Sequence, residues 1–354
     1  MSISNEKLLL ISALAYYEEL SDRHVYDDNI DDDIIKVNDV LDRIIKDDKT
    51  TCFDGAFGYS DSELGMDKII ALIRSDEELL DLEIIYPEKE NDATTSSVCL
   101  VNPATQDVYV VYVGNYAEGS YTYMDDEGKI TDIDSWVNNG QGATLADTDE
   151  QKRDLDLYIA SINAVREYLG DYEKDLNITV CGHSTGGNHA QYVTITYPES
   201  DEYTDINDID RCVSFDGQGF SEAFLEKYSS QISNRADKIT SYCPTVSIVG
   251  ALLNTIPGIN QKYIDIGQPD ALGIGLHMPA ELINDEGKFK IEGYPSMEYQ
   301  LLNAYSSWVF KIADMIPGID VDNASNGFGE FLALIVNSND IRDIGDAITI
   351  LSTT

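Results

Sequence analysis

The motif Gly-x-Ser-x-Gly at residues 182–186 is the feature of this sequence that most directly indicates chemistry, with Ser184 at its centre. A β-branched run at 177–181 leads into it, and small residues compatible with a helix follow from Gly187. A strand that ends in a tight turn and passes at once into a helix holds the serine in a strained conformation with its hydroxyl exposed. The order of these segments therefore predicts a nucleophile elbow of the hydrolase type.

A serine of this kind needs a base to take its proton, and the sequence has only four histidines. In elbow hydrolases the chain order is serine, acid, histidine. His24 lies in an acidic N-terminal stretch, and His183 and His189 flank the serine, where we expect them to point away from its working face. His277, in the loop-like segment 272–278, is the one histidine far downstream of the motif and is the predicted base.

Three aspartates are candidates for the acid that orients this base. Asp216 directly follows the strand-like run 211–215. A carboxylate at the C-terminal edge of the strand beside the nucleophile strand can reach a histidine above the sheet. Asp216 is therefore the predicted acid, with a helix N-cap or an Asx turn as its alternative role. Asp265 and Asp270 stay open as alternatives by chain order.

Acyl transfer also needs two preorganised N–H donors for the oxyanion of the tetrahedral intermediate. One is predicted to be the backbone N–H of Thr185, the residue after the nucleophile. The other is expected from the loop after an earlier strand, at 113–116, where Asn115 could add its side-chain amide. The cysteines and histidines have no metal-binding spacing, so we expect neither a metal nor a cofactor.

The elements that must position these residues alternate in the second half of the chain. A capping box, Thr148-x-x-Gln151, predicts the start of a helix that ends before Gly170. The alternation of strands and helices after it is typical of a parallel sheet with crossover helices. The other predicted elements are helices at 6–20, 34–48, 66–82, 185–197 and 220–232, and strands at 97–101, 107–113, 178–181, 211–215 and 238–243.

Composition changes near Pro295, and we expect two domains: an α/β domain at 1–294 and a helical C-terminal appendage at 295–354. Apolar clusters between Phe328 and Leu351 suit a helix packed on one face, either on the first domain or on a protein partner. A tail that simply completes the fold is the alternative.

The formal net charge of −42 argues against nucleic acid as a partner and disfavours docking on anionic lipid. A solvated acidic surface explains it most simply. The five cysteines are scattered and form no disulfide framework, which indicates a reducing compartment. The N-terminus has no signal-peptide pattern, and no apolar run reaches membrane-spanning length. We expect a cytoplasmic protein without an integral membrane segment, with export by a signal-less route left open.

Six short motifs, correctly ordered, resemble a bacterial branch of lipase-like α/β-hydrolases, the Mbeg-like family, which is related to the class 3 lipases. The match spans roughly residues 8–290, and its motifs are Val111–Asn115, Asp134–Asn139, Gly182–Asn188, Phe215–Phe220, Ser247–Gly250 and His277. The resemblance implies an α/β-hydrolase fold, with a mostly parallel sheet flanked by helices, and a triad that contains Ser184 and His277.

Two departures from the class 3 pattern bear on the site. Val113–Asn115 stands where class 3 lipases have Arg-Gly-Thr. Their acid precedes the segment that matches Val246 and Ser247, but Cys243–Thr245 at that place holds no carboxylate. The acid must therefore come from elsewhere, with Asp216 as the prediction, or the triad is degraded.

These patterns predict a serine hydrolase that cleaves a carboxylic ester through a Ser-His-Asp triad and an acyl-enzyme. The residues indicate acyl transfer, and the resemblance implies an acyl lipid as the substrate. The alternative is a lipase-like protein with weak or no catalysis that serves as an interaction or exported effector module. Its layout is similar to that of lipase-like toxins that join a hydrolase domain to a helical export region, and the C-terminal helices would then bind a partner.

Overall fold

The described part of the chain folds around a seven-stranded sheet. The computed structural model describes residues 2–21, 34–51, 54, 60–86, 97–114, 142, 145–170, 175–197, 207–267 and 274–315. In these ranges no helix is both long and apolar enough to cross a membrane.

The order of the strands in the sheet follows their order in the chain. β1, β2 and β3 pair antiparallel, and every neighbouring pair from β3 to β7 is parallel. The carboxyl ends of β3 to β7 therefore lie along one edge, which is where α/β sheets bind their ligands. The strands are β1 (Glu83–Ile85), β2 (Ser97–Asn102), β3 (Asp107–Tyr112), β4 (Asn177–His183), β5 (Arg211–Phe215), β6 (Ile239–Pro244) and β7 (Asn260–Ile264).

Helices cover both faces of the sheet. The described α-helices are α1 (Asn5–Leu14), α2 (Glu18–Ser21), α3 (Val37–Lys46), α4 (Met66–Arg74), α5 (Glu77–Leu80), α6 (Asp149–Leu169), α7 (Thr185–Thr196), α8 (Glu222–Lys227), α9 (Ser229–Arg235) and α10 (Met297–Met315). Helices α6 to α9 connect parallel strands and pack on one face of the sheet. Right-handed crossovers that all proceed in the same direction across a sheet place their helices on the same face. Helices α1, α3 and α4 cover the other face.

Strand β3 shows how one strand serves two cores. Tyr109 and Val111 pack under the N-terminal helices. Val108, Val110 and Tyr112 pack under the crossover helices. All five side chains are buried, because successive residues of a strand point to opposite faces and both faces of this sheet are covered. The mostly parallel sheet flanked by helices is an α/β-hydrolase fold, as the sequence predicts.

The capping box at the start of α6 is confirmed. The hydroxyl of Thr148 accepts a hydrogen bond from the backbone N–H of Gln151, and the Gln151 side chain accepts one from the backbone N–H of Thr148. Gly170 ends the helix in the left-handed conformation, with a φ of 66°. Local signals of this kind are readable because all the groups involved lie within one turn of helix.

Some predicted boundaries are wrong. The predicted helix 66–82 is two helices, because the side chain of Asp76 caps the start of α5. The predicted helix 220–232 is also two, α8 and α9, which meet at Tyr228. Strands β1 and β7 are not predicted, since β1 has only three residues and β7, at the edge of the sheet, carries polar and partly exposed side chains.

Candidate active site

Ser184 lies at a strained turn between β4 and α7. Its φ of 60° and ψ of −133° fall outside the regions that residues other than glycine usually occupy. The chain passes so close to itself that a Cβ on Gly182 would lie 2.4 Å from the backbone of Gly186. Strand, strained serine and helix together have the geometry of a nucleophile elbow.

His277 and Asp216 meet at the carboxyl edge of the sheet. Nδ1 of His277 lies 2.6 Å from Oδ2 of Asp216, and the aspartate side chain is fully buried. Asp216 follows the last residue of β5 and takes a left-handed φ of 51°. Because a carboxylate only accepts hydrogen bonds, Nδ1 carries a proton, and in the neutral form of the ring the lone pair is on Nε2.

Ser247 is a second donor to the same carboxylate, which sequence reasoning does not single out. Its hydroxyl donates to Oδ2 of Asp216 at 2.7 Å and accepts from the backbone N–H of Gly250 at 3.1 Å. The one signal for it in the sequence is its place in the Ser247–Gly250 motif. Its hydroxyl therefore helps to fix the carboxylate of Asp216.

His183, which we expect to point away from the working face of Ser184, lies beside His277. Its ring lies 4.5 Å, centroid to centroid, from the ring of His277, and its Nε2 lies 2.6 Å from the main-chain oxygen of His277. The last residue of β4 faces the side of the sheet covered by the N-terminal helices, and the segment that carries His277 packs on that side too. His189, in contrast, pairs with Asp154 of α6, at 2.7 Å from Nδ1 to Oδ2.

Nε2 of His277 is buried and has no hydrogen-bond partner among the described residues. The ring stands beside that of His183, the residue that precedes Ser184. Hydrogen bonds used in catalysis are often long without substrate and tighten when it binds. An unpartnered Nε2 with Nδ1 held by a carboxylate is what a general base must present.

The remaining predicted residues have different outcomes. Thr185 is buried and is the first residue of α7, where backbone N–H groups point out of the helix end. Asp265 is exposed, and its Oδ1 accepts from the backbone N–H of Gly267 in its own loop. Asn115 and Asp270 lie outside the described residues. Of the three candidate acids, the structure brings Asp216 to His277.

The loop after Asp216 is held against the elbow helix by Asn188. The amide nitrogen of Asn188 donates to the carbonyls of Gln218 and Gly219, at 3.2 and 3.0 Å. Its amide oxygen accepts from Nε2 of Gln151 at 2.8 Å. This buried amide connects α6, α7 and the loop, and so fixes the position of the aspartate relative to the serine.

Helix α10 contacts the loop that carries Ser247. The contacts are hydrogen bonds from Tyr299 Oη to Gly250 O, from Asn303 Nδ2 to Ala251 O and Leu253 O, and from Leu253 N to Ser306 Oγ. The first part of the predicted appendage thus supports the site. The division after residue 294 stays a prediction, since 316–354 lie outside the described residues.

Thiol and metal chemistry find no support in the described ranges. Burial raises the pKa of four cysteine thiols to about 12, so they stay protonated and unreactive near neutral pH. These are Cys99, Cys181, Cys212 and Cys243. No group of three or more His, Cys, Asp or Glu side chains in this part of the chain could hold a metal ion.

The sheet, its flanking helices and the elbow together define an α/β-hydrolase fold. Residues 152–315 match the family model described as Mbeg1-like, so the predicted resemblance to this family is confirmed. Its restriction to a bacterial branch stays a prediction. The matched segment contains Ser184, Asp216 and His277 and extends through α10.

Similar solved structures are lipases of low sequence identity. Lip2 lipase from Yarrowia lipolytica is 17% identical, with 52% of this chain and 66% of that chain covered and a TM-score of 0.30. M37 lipase is 14% identical, with 92% of this chain and 100% of that chain covered and a TM-score of 0.39. The Rhizomucor miehei lipase propeptide complex is 14% identical, with 60% of this chain and 71% of that chain covered and a TM-score of 0.33. No curated protein matches the chain.

Proposed function

We propose that this protein is a serine hydrolase that cleaves a carboxylic ester, with Ser184 as nucleophile, His277 as base and Asp216 as the acid. The observation that carries the proposal is the state of His277. Its Nδ1 is held by Asp216, its Nε2 is buried without a partner among the described residues, and its ring stands beside a serine elbow.

The reaction would proceed through an acyl-enzyme. The hydroxyl of Ser184 attacks the ester carbonyl carbon while its proton passes to Nε2 of His277. Asp216 accepts the hydrogen bond from Nδ1–H and stabilises the imidazolium that forms. The backbone N–H of Thr185 and a donor near Asn115 hold the oxyanion.

The tetrahedral intermediate then collapses. The C–O bond to the alcohol breaks, and the alcohol leaves with the proton from the imidazolium. Water attacks the acyl-Ser184 ester in the same way, with its proton taken by His277, and the carboxylic acid is released. An acyl lipid is the substrate class that the family resemblance favours, and the protein partner suggested for the C-terminal helices is not needed for this chemistry.

The test is a panel of esters of increasing acyl length, run on wild type and Ser184→Ala together. We expect hydrolysis by wild type and a loss of several orders of magnitude in kcat for the variant, with the circular dichroism spectrum retained. Ser233→Ala, on the exposed surface of α9, is the matched control. Wild-type turnover in Ser184→Ala would refute the proposal. A wild-type protein that neither hydrolyses any ester nor labels with a fluorophosphonate would favour the interaction-module alternative.

A further inference from the structure

One imidazole, that of His183, joins three separate parts of the fold behind the nucleophile. Its Nδ1 lies 2.7 Å from Oη of Tyr16, in the segment after α1. Its Nε2 lies 2.6 Å from the main-chain oxygen of His277. All three residues are buried. The N-terminal segment, the nucleophile strand and the segment of the base therefore meet at this ring.

The chemistry of the partners fixes the direction of both hydrogen bonds. A main-chain carbonyl only accepts, so the proton of a neutral ring must be on Nε2, which donates to His277. Nδ1 then has the lone pair, and the hydroxyl of Tyr16 donates to it. Burial, and repulsion by His277 whenever that ring is protonated, lower the pKa of His183 well below its usual value, which keeps the His183 ring neutral.

The contact with His183 ties the main chain of His277 to the end of β4. The residue ends a four-residue 3-10 helix, Ile274–His277, and it belongs to no strand. Asp216 holds only the ring, through Nδ1. The position of Nε2 also depends on the main chain that carries the ring, and a misplacement of about 1 Å can cost roughly 100-fold in rate.

We propose that His183 and Tyr16 are positioning residues of the hydrolase site: they fix the main chain of His277, while Asp216 fixes its ring, so that Nε2 stays directed at Ser184. This role rests on the proposed function. It also requires an uncharged His183, because a cation beside His277 would oppose the imidazolium that forms when Ser184 attacks.

The position of Tyr16 leaves little room for another arrangement. A Cβ on Gly114 would lie 2.2 Å from Oη of Tyr16 and 3.1 Å from Cβ of Ser184. The hydroxyl is therefore packed directly behind the end of the strand that leads to the predicted oxyanion loop. A phenylalanine at residue 16 would keep this packing and lose only the hydrogen bond.

The experiment measures the rate at which a fluorophosphonate labels Ser184, together with the fraction of protein labelled at completion. His183→Leu should slow labelling roughly 10- to 100-fold. His183→Gln, whose amide can donate to the same carbonyl, should stay within about threefold of wild type, and Tyr16→Phe should lie between the two. The final labelled fraction should equal that of wild type in each. A purely structural role would lower the fraction and leave the rate of the folded molecules unchanged.

Tyr158→Phe is the matched control, since it removes a buried hydroxyl that donates to the carbonyl of Asn207 on the opposite face of the sheet. It should label at the wild-type rate. ¹⁵N NMR of the wild-type histidines gives an independent reading, and at pH 7 His183 should be neutral with its proton on Nε2.

Two results would overturn the positioning role alone: labelling of His183→Leu at the wild-type rate, or an Nδ1–H or doubly protonated His183. If His183→Leu does not fold, the NMR reading and the rates of His183→Gln and Tyr16→Phe decide. A wild type that does not label would remove the proposed function, and this role with it.

Discussion

The carboxylate of Asp216 accepts its hydrogen bond from His277 at 2.6 Å across 61 residues of sequence, at the end of β5 rather than β6. The segment after β6 contributes Ser247 instead, whose hydroxyl donates to the same oxygen at 2.7 Å. The segment that directly follows the place of the class 3 acid therefore supplies a hydroxyl that holds the carboxylate at the end of the neighbouring strand. This relationship leads directly to the first two predictions.

Asp216→Asn should lower kcat by about 10³- to 10⁴-fold, because His277 loses the group that fixes its tautomer and stabilises its charged form. Asparagine has nearly the same shape, so the circular dichroism spectrum should be retained. Asp265→Asn is the matched control, since Asp265 is exposed and bonds within its own loop. Steady-state kinetics on a soluble ester checks both variants. An active Asp216→Asn with an inactive Asp265→Asn would show that the acid is assigned to the wrong residue.

Ser247→Ala should lower kcat about tenfold and leave KM nearly unchanged. The substitution removes one donor to the Asp216 carboxylate and leaves the backbone N–H of Gly250 without its acceptor. Both effects loosen the acid but not the substrate pocket. Ser247→Thr, which keeps the hydroxyl, should recover much of the rate. Equal rates for alanine and wild type would mean that Asp216 is held without this hydroxyl.

How well the sequence predicts the structure of this protein depends on how far apart in the sequence the residues of each pattern lie. The strand–Ser184–helix order and the Thr148 capping box are local, and both are found as predicted. The pairing of His277 with Asp216 follows from chain order and the shared sheet edge, although the catalytic roles of the two residues stay predictions. These predictions succeed because a few residues determine the conformation of the backbone at each of these places.

Other parts of the site could not be predicted because they depend on tertiary contacts between segments that lie far apart in the sequence. Whether His183 faces the base or the opposite core is decided by the N-terminal helices, which lie far away in sequence. Ser247 acquires its contact only when the loops after β5 and β6 meet. No single-sequence pattern records either contact.

Asp154→Asn should change how stability depends on pH. Burial opposes the charged form of His189, but the attraction and hydrogen bond of the Asp154 carboxylate outweigh it, and the pKa of His189 is raised. The folded state thus holds this proton more tightly than the unfolded state. Its contribution to the free energy of unfolding is complete below pH 6.5 and is lost as the pH rises through the raised pKa.

Urea unfolding of wild type and Asp154→Asn at several pH values above 6.5 checks this. Wild type should lose stability with a slope of at most about 1.4 kcal/mol per pH unit from this proton, and the variant should lose less. The variant should also be less stable below pH 6.5, where His189 is protonated in wild type. Parallel pH curves for the two proteins would contradict the pairing of His189 with Asp154.

Truncation tests whether α10 belongs to the catalytic unit. A chain that ends after residue 294 loses Tyr299, Asn303 and Ser306, whose side chains hold the backbone of the loop from 250 to 253. Leu253 has a left-handed φ of 64°, and a strained backbone of this kind persists only where its surroundings hold it. We expect the truncate to have low solubility or a kcat reduced at least about tenfold, because the same loop carries Ser247.

A chain that ends after residue 315 keeps every one of these contacts and is the matched comparison. It should fold and retain more activity than the shorter truncate on a water-soluble short-chain ester, with thermal unfolding as the measure of folding. In the chain of 354 residues, Asn303→Ala with Ser306→Ala should lower the free energy of unfolding by about 1–3 kcal/mol, because three backbone groups of the loop lose their partners. A folded and fully active 1–294 chain would instead establish the domain boundary that the sequence composition predicts, and α10 would then be free to bind a partner.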